Sequence, residues 1–204
     1  SYYVADRRRS GEVIKENLGE DYTGTIIHDC HSAQNNTKAG QHQHCLPHYD
    51  RPLKYCIEYE NCDWSQSMYS FLISARKVRD SLWQEGFSAT NRQKIIQAFH
   101  DALWILMKRP PTGTEGMKLY KRVLKHSDKL LTFMSSPTMP ADNNGAERAI
   151  RNAKIRQKVS GCFRNPDAAK RYAIILSVIE TAKKQGLKTL EACQALFFGN
   201  LNIA

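Results

Sequence analysis

Two acids and a run of cations are the residues whose types and spacing could do chemistry. Asp29 ends the β-branched run Thr23-Gly24-Thr25-Ile26-Ile27-His28-Asp29. Glu147 lies in Pro140-Ala141-Asp142-Asn143-Asn144-Gly145-Ala146-Glu147-Arg148-Ala149-Ile150-Arg151. Asp142 to Gly145 are turn and cap residues, and Ala146, Ala149, Ile150 and Ala153 then recur at helical spacing on one face. Glu147, Arg151 and Lys154 share the flank of that face. A carboxylate beside an apolar seam, with cations along the same flank, could hold a metal ion next to a phosphate backbone. Asn144-x-x-Glu147 equally fits a capping box, in which the Glu reaches back to a free backbone N–H. Spacing alone puts the capping box ahead of the metal ligand.

The charge supports a polyanionic partner. The 204 residues carry a net charge of +10, and it is unevenly spread. Between Arg148 and Arg171 there are eight cations (Arg148, Arg151, Lys154, Arg156, Lys158, Arg164, Lys170, Arg171) against Asp167 alone. Positive charge concentrated beside a candidate carboxylate points to nucleic acid; the plainer alternative is a solvated basic face. No run of apolar residues is long enough to span a bilayer, so no membrane role is expected. No signal peptide is read before Asp6-Arg7-Arg8-Arg9, and six cysteines in a chain of this length are not a disulfide scaffold, so reduced thiols in a cytosol are expected.

Five of the seven histidines fall within residues 28–48, with Cys30 and Cys45 among them. His42-x-His44-Cys45-x-x-His48 has zinc-like spacing, but no second Cys/His pair follows at finger distance. A set of satisfied core or surface histidines is the structural alternative.

The elements that must position these groups read as α/β at both ends and helical between. Tyr2-Tyr3-Val4-Ala5 is a short β-type run, Gly11–Leu18 a short helix, and Thr23–Asp29 a strand. Acids just past the carboxyl ends of such strands are common ligand positions. Trp64, Met68, Phe71, Leu72, Ala75, Val78 and Leu82 recur at helical spacing. So do Ile95, Ile96, Phe99, Leu103, Leu106 and Met107, with Asn91 near the start and Pro110-Pro111 closing the segment. A third stripe runs through Met117, Tyr120, Val123, Leu124 and Leu131. These stripes are packing faces. Asn165-Pro166-Asp167 starts a further helix, whose nearly all-apolar stretch Tyr172–Ala182 should be buried. A last helix covers about Thr189 to Phe198. Residues 1–62 are therefore read as the first part of a core, 63–135 as a helical insertion, and 136–204 as the second part.

The pattern Asp142-Asn143-Asn144-x-Ala146-Glu147-Arg148, followed by Thr181-Ala182-Lys183 and Gly186, resembles the C-terminal catalytic block of the insertion-sequence-66 family of bacterial transposases. Gly24-x-x-x-x-Asp29 and Cys45-x-x-His48-x-x-Arg51 resemble two further motifs of that family, although Cys30-His31 replaces its usual Gly-Tyr. The resemblance implies a partial ribonuclease-H-like fold interrupted by an all-helical insertion, which fits Asp29 and Glu147 standing 118 positions apart. It implies that Asp29 and Glu147 are the second and third acids of an Asp-Asp-Glu set holding Mg²⁺ or Mn²⁺. It implies DNA strand cleavage and transfer at transposon ends, a homo-oligomer in the active complex, and a bacterial cytoplasmic, nucleoid-associated setting. His48, Arg51, Asn143 and Asn144 are then supporting residues near substrate or metal, Cys45 is packing, and Arg148, Arg151, Lys154, Arg156 and Lys158 contact phosphates.

The first acid of the family's set falls upstream of the matched segment, and Asp6 is a poor substitute on what should be a later strand. The chain therefore reads as part of a transposase core, expected to be inactive alone. A non-catalytic DNA-binding remnant or regulator explains the charge equally well. A nuclease or resolvase of the same fold without strand transfer is disfavoured by the extended match around Glu147.

Overall fold

The computed structural model describes residues 1–84 and 86–199. Helix α1 (Gly11–Leu18) precedes strand β1 (Thr25–His28), and a short turn of helix α2 (Ser32–Asn35) leads to β2 (Gln41–His44). The two strands pair in parallel, with Thr25 opposite Gln41 and His28 opposite His44. A parallel pair needs a crossover, here residues 29–40 with α2 inside it. Gly40 is required at the return. A Cβ there would lie 1.9 Å from the Thr23 carbonyl oxygen. The chain thus brings Asp29 and Cys45, the residues following each strand, to the same carboxyl end.

Four helices follow: α3 (Pro47–Glu60), α4 (Asp63–Gln84), α5 (Ala89–Leu106) and α6 (Thr114–Lys125). One core joins them. Tyr49, Leu53 and Cys56 of α3 meet Trp64, Met68, Leu72, Ala75 and Leu82 of α4, and Leu103, Leu119 and Val123 complete it. The expected α4 stripe is therefore the packing face. On α6 the expected stripe is met in part: Val123 is buried and Tyr120 packs against the core, but Gly116 and Leu119 complete the buried face while Leu124 is exposed. Glu60 explains the difference: its carboxylate caps α6 by accepting the N–H groups of Glu115 and Gly116 at 2.9 and 2.8 Å, which seats the glycine face inward. Leu131 lies beyond α6, between two 3-10 turns (Ser127–Lys129 and Thr132–Ser135), the second of which places Phe133 and Met134 in the core. Ser88 caps α5 through the Asn91 N–H, so the cap falls three residues before Asn91.

The buried Gln43 ties β2 to those turns. Its amide donates to the Leu130 carbonyl at 3.1 Å and accepts the Phe133 N–H at 2.7 Å. Asp50 and Arg76 form a two-pronged ion pair at 2.8 and 3.0 Å, locking α3 to α4. Residues Ile14–Glu147 form one compact unit; Ser1–Val13 and the described part of Arg148–Ala204 form the other.

In this second unit, α8 (Pro166–Lys184) starts as its sequence predicts, with the Asn165 side chain accepting the Ala168 N–H at 2.8 Å and Pro166 in the first turn. It stops at Gly186, whose φ of +85° is the left-handed cap that glycine favours. Helix α9 (Thr189–Phe197) follows. Burial of α8 is one-sided: Ala173, Leu176 and Ala182 are inside, while Ile174 and Ile175 are exposed. The expected strand at Tyr2–Ala5 lies in neither strand of the sheet. It runs beside α8, where the Tyr3 N–H donates to Ser177 Oγ at 2.8 Å and Thr181 Oγ1 donates to the Ser1 carbonyl at 3.1 Å. Two extended residues rise about 6.6 Å and four helical ones about 6 Å, so alternate backbone groups meet successive hydroxyls on one helix face.

Candidate active site

Helix α7 (Asn144–Val159) carries Glu147 in its first turn. Its start is fixed by backbone chemistry. Asp142 Oδ1 accepts the Asn144 N–H at 2.8 Å, and the Asn143 carbonyl accepts the Glu147 N–H at 3.0 Å. Asp142 thus does capping work that the capping-box reading gave to Glu147. The turn is stitched to the end of β2 twice: the Leu46 N–H donates to the Ala141 carbonyl at 3.0 Å, and the Asn143 N–H donates to Cys45 Sγ at 3.4 Å.

These bonds bring Glu147 to His48 at the start of α3. One donor atom each from Cys45, His48 and Glu147 lies within 4.8 Å of the other two. His48 Nε2 and Glu147 Oε1 are 3.9 Å apart, with both side chains partly exposed. That gap is too long for a hydrogen bond. It is within the span of two ligands on one ion, whose bonds are about 2.1 Å each.

The three groups differ in what they offer a metal. Cys45 is fully buried, and burial, with the neighbouring Glu147 charge adding to it, pushes its thiol up to about 11. It already accepts the Asn143 N–H and serves as packing. His48 Nδ1 is buried without a partner among the described residues, whereas a metal-bound imidazole normally has its other nitrogen held. A closed structural zinc site does not fit this set. Glu147 offers a half-exposed carboxylate, and the buried Asn143 Oδ1 has no hydrogen-bond partner among the described residues.

Asp29 stands directly after β1, one residue past the bond from the Cys45 N–H to the His28 carbonyl at 2.8 Å. Its carboxylate accepts the His31 N–H at 3.2 Å and is not one of the three grouped donors. Arg51 is exposed on α3, three residues after His48 and so on its side of the helix. Asn144 is half-buried at the α7 start. In the other unit, Arg148, Arg151, Lys154, Arg156 and Lys158 are all exposed. The apolar seam expected on α7 is thin: Ala149 and Ala153 are half-covered, Ile150 is exposed, and the helix buries no residue. Asp6 is engaged by Arg8, which donates through Nε and Nη2 at 3.1 and 3.0 Å and, with its backbone N–H, holds the carboxyl down to about 2.

The histidine cluster is a separate matter. His28 and His44 are fully buried. His42 bonds His28 Nε2 and the Thr37 carbonyl at 3.0 Å each, and His44 bonds Tyr49 and Asn35 at 2.8 and 2.7 Å. All four of those ring nitrogens on His42 and His44 are occupied, so the pair belongs to the core network and the zinc-like spacing is coincidental. Sequence reasoning missed Arg122. Its Nη2 donates to the His48 carbonyl at 2.7 Å and its guanidinium lies 4.3 Å from the Tyr49 ring, fixing the turn that presents His48. It is one basic residue among several on α6, and nothing in its spacing marks it.

The sequence profile of the Transposase IS66 family matches residues 1–171, and the chain belongs to that family. Two relatives from Sinorhizobium fredii are similar. Uncharacterized protein y4jO is 27% identical over 135 residues, covering 53% of this chain and 42% of y4jO. Uncharacterized protein y4jD is 21% identical over 201 residues, covering 91% of this chain and 39% of y4jD. The chain thus spans about two fifths of either relative. No solved structure matches. Among the described residues no helix is long and apolar enough to cross a membrane.

Proposed function

We propose that this chain is part of the catalytic core of a DNA transposase. Asp29 and Glu147 hold Mg²⁺ or Mn²⁺, and the whole protein cleaves and transfers DNA strands at transposon ends. The observation that carries the reading is the docking of the Glu147 turn onto Cys45–Leu46 at the carboxyl end of the parallel strands, where Asp29 also emerges. Such an ion, when bound, activates the attacking oxygen and stabilises the leaving one. His48 stays beside Glu147 and Asn143 shapes the turn. Arg51 lies on the His48 side of α3 and Asn144 opens α7. The exposed cations of α7 take up phosphates, and the active form is a homo-oligomer in a bacterial cytoplasm.

A chimera tests this: residues 1–171 replace the matched segment of a full-length family transposase. Cleavage of transposon-end DNA with Mn²⁺ is expected, and Glu147→Gln or Asp29→Asn should abolish it while DNA binding persists. Cleavage by the Glu147→Gln chimera at the parent rate would sink the proposal. The exposed cations of α7 serve a second reading equally, a DNA-binding regulator without its own chemistry. Under it the chain binds the same DNA but never cleaves, in any context.

A further inference from the structure

The unit containing α8 has a basic cleft that the catalytic reading does not use. It has a volume of about 670 Å³, and Arg7, Arg8, Phe163, Arg164 and Lys170 line it, with Asp6 the one carboxylate among the lining residues. A smaller depression of about 280 Å³ shares Phe163 and Arg164 with it and is walled by Arg156 and Tyr172. Phe163 therefore lines both hollows. Its ring is 5.3 Å from that of Tyr172, and the Arg156 guanidinium lies 5.0 Å from the Tyr172 ring centre. Gly161, with a φ of +72°, makes the turn that presents Cys162, Phe163 and Arg164.

From this geometry we infer that the cleft binds an unpaired nucleotide of single-stranded DNA, its base against Phe163 and its phosphate among Arg7, Arg164 and Lys170. The charge balance supports this. Asp6 is already paired with Arg8 at 3.0 Å, so those two largely cancel. Among the described residues no carboxylate pairs with Arg7, Arg164 or Lys170. The size supports it too. A hollow of this volume matches a small ligand of nucleotide size. An aromatic ring among cations is the combination that holds an unstacked base and its backbone. Of the exposed cations on α7, only Arg156 reaches the ring-lined hollow; Arg148, Arg151, Lys154 and Lys158 suit duplex phosphates.

The inference rests on the nucleic-acid reading above but has its own test. The full chain is titrated against fluorescein-labelled oligothymidylate of about 12 nucleotides, and against a labelled duplex, by anisotropy. Phe163→Leu should weaken single-strand binding about tenfold or more and leave duplex binding unchanged. Arg164→Gln, at an exposed position, should reduce the single-strand salt slope by about 0.7. It also serves if Phe163→Leu melts early. Duplex binding with single-strand binding that neither variant alters would overturn the cleft assignment and leave the transposase reading standing. Failure to bind either DNA would overturn both. Equal losses on both DNAs would overturn the assignment of the cleft to an unpaired strand.

Discussion

Acidification should destabilise the larger unit through His44. The ring is fully buried, with neutral-state hydrogen bonds at both nitrogens: Nε2 donates to Asn35 Oδ1 and Nδ1 accepts from the Tyr49 hydroxyl. The ring centres of His28, edge-on, and His126, tilted, lie 5.0 and 4.9 Å away, Cys30 Sγ is 3.5 Å from Nδ1, and Lys129 donates to Asn35. Asp128, on the same turn as Lys129, is exposed. Burial first, then the neighbouring His28, His126 and Lys129 charges, lower the His44 pKa from 6.5 to about 3. The unfolded chain therefore binds the proton that the fold refuses. Stability from this group is complete above pH 6.5 and is lost as pH falls toward 3. About pH 5 is ~1.5 units below the unfolded value, which corresponds to about 2 kcal/mol at 1.36 kcal/mol per unit. The assay is urea unfolding of the wild type and His44→Gln at about pH 8 and about pH 5. The variant starts lower, but its loss between the two pH values should be smaller than the wild type's by about 2 kcal/mol. Identical pH losses in the two proteins would refute this account of the buried histidine.

Three further outcomes are expected. Gly40→Ala should cost about 1–3 kcal/mol in urea unfolding, because its Cβ would meet the Thr23 backbone and β2 must shift. Arg76→Ala should cost about 1.5–3 kcal/mol by leaving Asp50 without its charged partner, and a double-mutant cycle with Asp50→Asn should recover part of that. Lys154→Gln and Arg156→Gln should each weaken duplex binding and flatten its salt dependence by about 0.9 in slope; unchanged slopes in both would remove them from the footprint.

What the sequence made legible follows physical range. Local signals held: the caps at Asn165 and Gly186 and the α4 stripe depend on neighbours a turn away, and each is where its residue types put it. The edge-on details did not. Tyr2–Ala5 has strand chemistry, yet its backbone partners are hydroxyls of α8 more than 170 positions distant. On α6, Val123 and Tyr120 face the core as read, but Leu124 does not, because a carboxylate on α3 holds Gly116 inward. Near the candidate site, motif resemblance marked Asp29 and Glu147 as the metal pair, with His48 as support and Cys45 as packing; the structure groups Cys45, His48 and Glu147, and Asp29 is not among them. Arg122 was illegible because its partner is a backbone carbonyl, which no spacing encodes.

The account rests on Glu147 and Asp29 sharing a divalent ion, and Mn²⁺-soaked crystals read by anomalous scattering test that most directly. The account predicts a peak about 2.1 Å from a Glu147 carboxylate oxygen and from Asp29. A peak held by Cys45 and His48 without Asp29, or none at Glu147, would contradict it.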